Sequence, residues 1–240
     1  MSGIDRVEME PAYVLHHRPY RETSQLLEAI GRNHGRVGLV ARGARGPRAR
    51  WRSCLQPFQP LHLSWSGRGG LFTLTDAEPA APPLSLSGDR LLSAWYLNEL
   101  LLAFTTRGDP HPELFVHYAA ALSGLQELAE PEMALRRFEL ALLGEVGYGL
   151  NLEAEARSGL PLEAEQLYSY IADTGAVAVA VAEPRPGYAY SGAQLQRIAT
   201  GEFAVDGDLV AAKRLLRSIL AHYLGDRPLK TRRVLAAMHR

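Results

Sequence analysis

One cysteine, two lysines and no acidic residue between Glu28 and Asp76 are the scarcities that mark this 240-residue chain. The single cysteine, Cys54, excludes an internal disulfide and any cysteine-based zinc site, and it fits a reducing compartment. No apolar run approaches the ~18–20 residues that a membrane span needs. Residues 1–11 are acidic and polar rather than signal-like, so a soluble, cytoplasmic protein is expected. A catalytic constellation is missing as well. His16 and His17 are neighbours on an expected strand and point to opposite faces, which is wrong for joint metal binding. Gly144–Gly149 looks like a phosphate loop, but it follows a helix and lacks Gly-Lys-Ser/Thr, so it reads as a helix stop. No Ser/His/Asp spacing stands out, and neither an enzyme nor a cofactor is expected.

What is present is arginine, and it is concentrated. Of 26 basic residues only Lys213 and Lys230 are lysine. The acid-free stretch carries Arg32, Arg36, Arg42, Arg45, Arg48, Arg50, Arg52 and Arg68. The whole chain is neutral, yet residues 1–80 hold 11 arginines against 7 acids and residues 81–212 hold 7 against 18. Residues 213–240 hold 8 Lys/Arg against Asp226 alone. Two basic ends around an acidic middle suggest separate surfaces with separate partners. Guanidinium forks match phosphate oxygens bidentately and stack on bases. A GC-rich genome would account for an arginine bias, but not for its clustering. A clustered cationic segment answers to a polyanion, and nucleic acid is the commonest one.

The first 80 residues read as a small β-barrel. Ala12–His16 is a strand broken by Pro19, and Leu26–Ile30, a strand that could by periodicity be helical, and Arg36–Ala41 flank the turn residues Asn33-His34-Gly35. Phe58–Trp65 and Leu71–Thr75 form a further hairpin across Gly67–Gly70. Five short strands with one long basic connection match an OB-type barrel, whose strand face and loops bind oligonucleotides. That connection, Arg42–Leu55, contains Pro47 and two glycines against helix and arginines against burial, so a mobile cationic loop is expected. Helices follow, over 87–106, from Pro112, and from Pro131 to a stop at Gly147. A hairpin is expected around Asp173-Thr174-Gly175, then helices over 193–199 and 209–224 and a last basic one over 228–239. The fold class is thus α+β: an OB barrel over 1–80, then a mainly helical domain over 81–240 with a small hairpin insertion near 151–187.

An ordered set of short strings carries a family resemblance. It runs through Tyr13-Val14-Leu15-His16, Glu22-Thr23-Ser24, Gly35-Arg36-Val37, Ala41–Arg45 and Leu55-Gln56-Pro57-Phe58. It continues through Tyr96–Leu100, Leu135–Glu139, Leu142-Leu143-Gly144, Gly147-Tyr148-Gly149, Tyr223-Leu224-Gly225 and Pro228–Arg232. Together these resemble the RecO family of bacterial DNA repair proteins, most nearly its proteobacterial members, over essentially the whole chain. The resemblance implies an OB fold joined to a helical domain. It also implies binding of single- and double-stranded DNA, annealing of complementary strands and, with RecR, loading of RecA onto strands coated by single-strand binding protein. Many relatives carry a four-cysteine zinc site in the region corresponding to 149–182. This chain has no cysteine there, so the zinc does not carry over and the hairpin must hold itself by packing.

The candidate DNA-binding residues are Arg36, Arg42, Arg45, Arg48, Arg50, Trp51, Arg52 and Arg68, with Lys213, Arg217, Lys230 and Arg232 as a second surface. If ~4–6 of the loop arginines meet phosphate on single strands, log affinity falls against log salt with a slope of about −3 to −4. A solvated charged loop is the bland alternative. Trp51 either stacks on a base or anchors the loop to the barrel. Lys213, Arg214 and Arg217 could equally be a solvated helix face. Within 131–146, the resemblance implies a receptor for the acidic C-terminal tail of single-strand binding protein. Such a tail ends in an apolar residue bearing a carboxylate, so its receptor needs an apolar pocket beside a cation. Arg136, Arg137, Leu135 and Leu140 are the candidates, and the alternative for Arg136 is an intrahelical pair with Glu132 or Glu139. Two other functions stay open: an RNA-binding OB protein, and an adaptor that binds acidic protein tails without annealing DNA.

Overall fold

The computed structural model describes residues 5–46, 51, 54–179, 189–203, 205–227, 229–231 and 234. Its contacts divide the chain into two units, one of residues 1–127 with 229–240 and the other of residues 128–228.

In the first unit five strands close a barrel in the order β1-β2-β3-β5-β4. They are β1 (Asp5–Tyr20), β2 (Ser24–Gly31), β3 (Gly35–Ala41), β4 (Leu61–Gly67) and β5 (Phe72–Pro79). All pairings are antiparallel except β3 with β5. This is the OB arrangement expected from the strand pattern. Alternation drives it: Leu27, Ala29, Val37, Leu39, Leu61, Leu63 and Trp65 all face a common core.

One expectation is corrected here. β1 does not break at Pro19; it runs for 16 residues through both Pro11 and Pro19. Its first part pairs with β4 as far as Ala12, and from Ala12 to Tyr20 it pairs with β2. Beyond Ala12, β1 therefore has a strand on one side only, and a missing N–H at Pro19 forfeits nothing on the other. The strand turns this corner through irregular pairing between Val7 and Glu10 and between Val14 and His16, with Met9 at φ 53°.

Helices α1 (Gly88–Phe104) and α2 (Pro112–Glu127) pack in the same unit. Buried Asn98 on α1 donates to Leu15 O of β1 at 2.8 Å and accepts from Tyr118 of α2 at 2.5 Å. Tyr13 of β1 meets Tyr118 edge-on, their centroids 5.2 Å apart, and burial holds the Tyr118 phenol well above its ordinary pKa. The unit is completed from far down the chain: Thr231 donates through its amide and its hydroxyl to Glu99.

The second unit holds α3 (Pro131–Glu145), α4 (Gly192–Thr200), α5 (Asp208–Leu224) and an antiparallel sheet in the order β7-β6-β8. The expected hairpin is β6 (Leu167–Ile171) and β7 (Gly175–Ala178); a third strand, β8 (Ala189–Ser191), was not foreseen. The cysteine-free segment before the sheet is tied by Ala156 N to Ala176 O at 2.7 Å and by Asn151 accepting from Glu153 and Ala154. Buried Asp208 takes a bidentate Arg197 at 2.7 and 2.9 Å. The expected basic helix over 228–239 lies mostly outside the described residues; Lys230, Thr231 and Val234 within it are helical.

Candidate nucleic-acid interface

The sharpest sequence signal begins where β3 ends. Arg42 and Arg45 are both exposed. Gly43, at φ +70°, turns the chain between them, and Gly46 N closes the turn on Gly43 O at 3.1 Å. The turn is fixed to the β1–β2 connection: Arg45 N donates to Thr23 O at 2.8 Å, and its guanidinium to Arg21 O at 3.4 Å. Arg21 is itself exposed, with φ 51°, and lies over the Tyr20 ring at 5.2 Å. Arg21, Arg42 and Arg45 thus share one end of the barrel. Charge counting missed Arg21 because Glu22 and Glu28 separate it from the acid-free stretch.

The basic connection is anchored at both ends, against the expectation that its arginines would keep it from burial. Ala44, Cys54 and Leu55 are buried in the barrel core, and burial pushes the Cys54 thiol up. Trp51 is half-buried and packs against the same core, and Cys54 N and Leu55 N both donate to its carbonyl. The anchoring role open to this tryptophan is the one its side chain occupies. Arg48, Arg50 and Arg52 lie outside the described residues. His17, Gln25, Ala44, Arg45, Leu55 and Gln56 line a depression of about 260 Å³ beside the turn.

Other candidates are placed apart. Arg36 is committed to the scaffold: it donates to Leu102 O at 2.7 Å and approaches Glu28 at 3.9 Å, and burial lowers its pKa against the pull of Glu28. Charge alone singled it out, whereas its partners are remote in sequence. Arg68 is exposed on the β4–β5 turn, a different connection. Lys230 is exposed beside the Thr231 contact, and Arg232 lies outside the described residues. In the second unit Lys213 pairs with Glu132, while Arg217 is exposed on α5.

On α3 the tail-receptor candidates divide. Arg136 is 5% exposed and pairs with Glu139 at 3.0 Å, the intrahelical alternative. A carboxylate reaching it would have to compete with a buried partner already in place. Arg137 is exposed and donates to Gly201 O at 3.0 Å, Leu135 is buried and Leu140 half-buried.

The comparisons agree with this architecture. The family model "Recombination protein O N terminal" matches residues 6–83, and "Recombination protein O C terminal" matches residues 85–233. A DNA repair protein RecO of Nitrosococcus oceani is 49% identical, covering 98% of this chain and 95% of that protein. One from an Azoarcus species is 45% identical over 98% of each, and one from Photobacterium profundum is 42% identical over 97% and 95%. Among the described residues no helix is long and apolar enough to cross a membrane. Matched along nearly its full length by both halves of the family and by relatives at this identity, the chain belongs to the RecO family of DNA repair proteins.

Proposed function

We propose that the chain is a recombination mediator that binds single- and double-stranded DNA and anneals complementary strands without covalent chemistry. The observation that carries this reading is the exposed Arg21, Arg42 and Arg45 gathered on two tied connections of an OB barrel. Cations that neutralise phosphates on two strands lower their repulsion and raise their encounter rate, and base pairing then supplies the free energy. Annealing of this kind needs no catalytic side chain. By sequence Arg48, Arg50 and Arg52 are assigned to the same strand, as is exposed Arg68, while Trp51 anchors their connection to the barrel. Lys213 and Arg217 on α5 are assigned to a second strand, and Lys230 and Arg232 are separate candidates for DNA contact. Residues 1–80 form the nucleic-acid-binding domain of this reading, and residues 81–240 its helical domain.

The family resemblance extends the proposal to partners: with RecR, the protein helps load RecA onto single strands coated by single-strand binding protein, in the cytoplasm at the nucleoid. The acidic tail of that coating protein docks on α3, where Leu135 and Leu140 supply the apolar contact. Arg137 supplies the exposed cation, and Arg136 supplies a second one if Glu139 yields.

Fluorescence-detected annealing of complementary oligonucleotides, for wild type and Arg42/Arg45→Ala at several salt concentrations, tests the core of this reading. Steeply salt-sensitive acceleration that the double variant loses is the expected result. No acceleration at low salt would remove the annealing mechanism and favour an adaptor that binds acidic tails.

A further inference from the structure

The inward-facing row of the barrel does not stop where the closed core stops. Leu27 pairs with Leu39 on one side and with His17 on the other, so the three share a face. Two residues along β2, Gln25 pairs with Ala41 and with Pro19 on that same face. Leu27, Leu39 and Ala41 are fully buried, whereas His17 and Gln25 are half-buried and stand at the barrel mouth. Ala44 and Leu55, both buried, close the floor, while Arg45 and Gln56 stand exposed on the rim. Between them lies the depression of about 260 Å³. That is just below the range usual for drug-sized ligands, and so suits one flat ring system.

Its chemistry narrows the occupant. The floor is methyl and methylene surface, which suits a ring face. The rim carries two primary amides and an imidazole, and each amide both donates and accepts, as the edge of a nucleobase requires. None of the six lining residues is acidic, and Arg45 supplies a guanidinium at the rim, the group that pairs with a phosphate. A bare inorganic anion would find one guanidinium here and an apolar floor. A base still stacked in a duplex could not enter.

We propose that this depression takes one unstacked nucleobase of a single strand, with Gln25 and Gln56 reading its edge and Arg45 holding the adjoining phosphate. The proposal rests on the single-strand binding argued above and adds to it that the base, and not charge alone, is recognised. The barrel mouth then distinguishes a single strand from a duplex of equal charge density.

The test is equilibrium binding of the full chain to two fluorescent ligands of equal length, about 12 nucleotides, within the span one OB fold covers. One is oligothymidine and the other an abasic deoxyribose-phosphate chain. Wild type is expected to favour oligothymidine by about tenfold, the scale of one base contact. Gln25→Leu keeps the side-chain size and is expected to abolish that preference while leaving abasic affinity unchanged. Exposed Gln56→Leu carries the same expectation should the first variant fold poorly. Arg42→Ala is expected to weaken both ligands alike. Equal wild-type binding of the two ligands overturns the base pocket and leaves the charge reading intact. A preference that survives both glutamine variants overturns its location. Failure of wild type to bind either ligand overturns single-strand binding itself.

Discussion

Arg107, in the connection between α1 and α2, closes on Glu28 of β2 through two guanidinium nitrogens and reaches Gly70 O at 3.2 Å with a third. The hydrogen bonds that Arg107 donates to Glu28 hold its pKa above the ordinary value. The pair fastens a barrel strand to the segment that joins the two helices of the unit. Among the described residues, Arg107→Ala leaves Glu28 with Arg36 at 3.9 Å as its ion-pair partner. Both side chains are partly exposed, so the expected loss is on the order of 1 kcal/mol, read as a lower denaturant midpoint with an unchanged slope.

Gly35 opens β3 at φ +63°, and a Cβ there would lie 2.0 Å from Asp109 O. Gly35→Ala combines a left-handed backbone penalty with a collision against main chain. A loss of roughly 2–4 kcal/mol is expected in equilibrium unfolding. Gly43→Ala, also at positive φ but with open space around it, is expected to lose only about 1 kcal/mol.

Asn98 satisfies both Leu15 O and the Tyr118 hydroxyl in the interior. Asn98→Leu removes both bonds and leaves two buried polar groups without them, at a cost of about 2–4 kcal/mol in thermal or chemical unfolding. Barrel stability falls with it, so DNA affinity of this variant is to be read only well below its midpoint.

Asp173 accepts from Tyr223 and from His222, and those bonds hold its carboxyl below the ordinary value of 3.8. Because the folded pKa is the lower one, the stabilisation is fully present above 3.8 and is lost as pH falls through the folded value. Unfolding curves of wild type and Asp173→Asn are therefore expected to be separated at pH 6 and to converge in strong acid. A separation that persists there would place the stabilisation elsewhere.

Arg42/Arg45→Ala is expected to reduce the salt slope of single-strand binding by about 1.4, two phosphate contacts at about 0.7 each. An unchanged slope would assign those phosphates to other cations.

The barrel was legible because its strands are short and largely alternating and its turns carry Asn33-His34-Gly35 and Gly67–Gly70. Helix starts at Pro112 and Pro131 were legible for the same local reason. The length of β1 was not, because the tolerance of Pro19 depends on which neighbour is absent, a fact of pairing rather than of sequence. β8 is three residues long and exists through its pairing with β6. Ala44 sits between glycine and arginine and Cys54-Leu55 between serine and glutamine, so no periodicity announced their burial. Arg36 looked like a ligand-binding cation because its partners, Glu28 and Leu102 O, are invisible to a charge count. Arg21 and Gln25 gain their place at the barrel mouth only when the β1–β2 turn folds beside the basic connection.

Thr231 bonding to Glu99 has a topological meaning. Residues 128–228 leave the first unit and return to it, which makes the second unit an insert held by two tethers rather than a bead at the end of a string. Were that insert to melt, the Glu99–Thr231 contact would have to close a floppy loop of about 100 residues, at an entropic cost on the order of 4 kcal/mol. While folded, the insert bears that cost itself. Damage deep within it is therefore transmitted to the first unit through loop entropy.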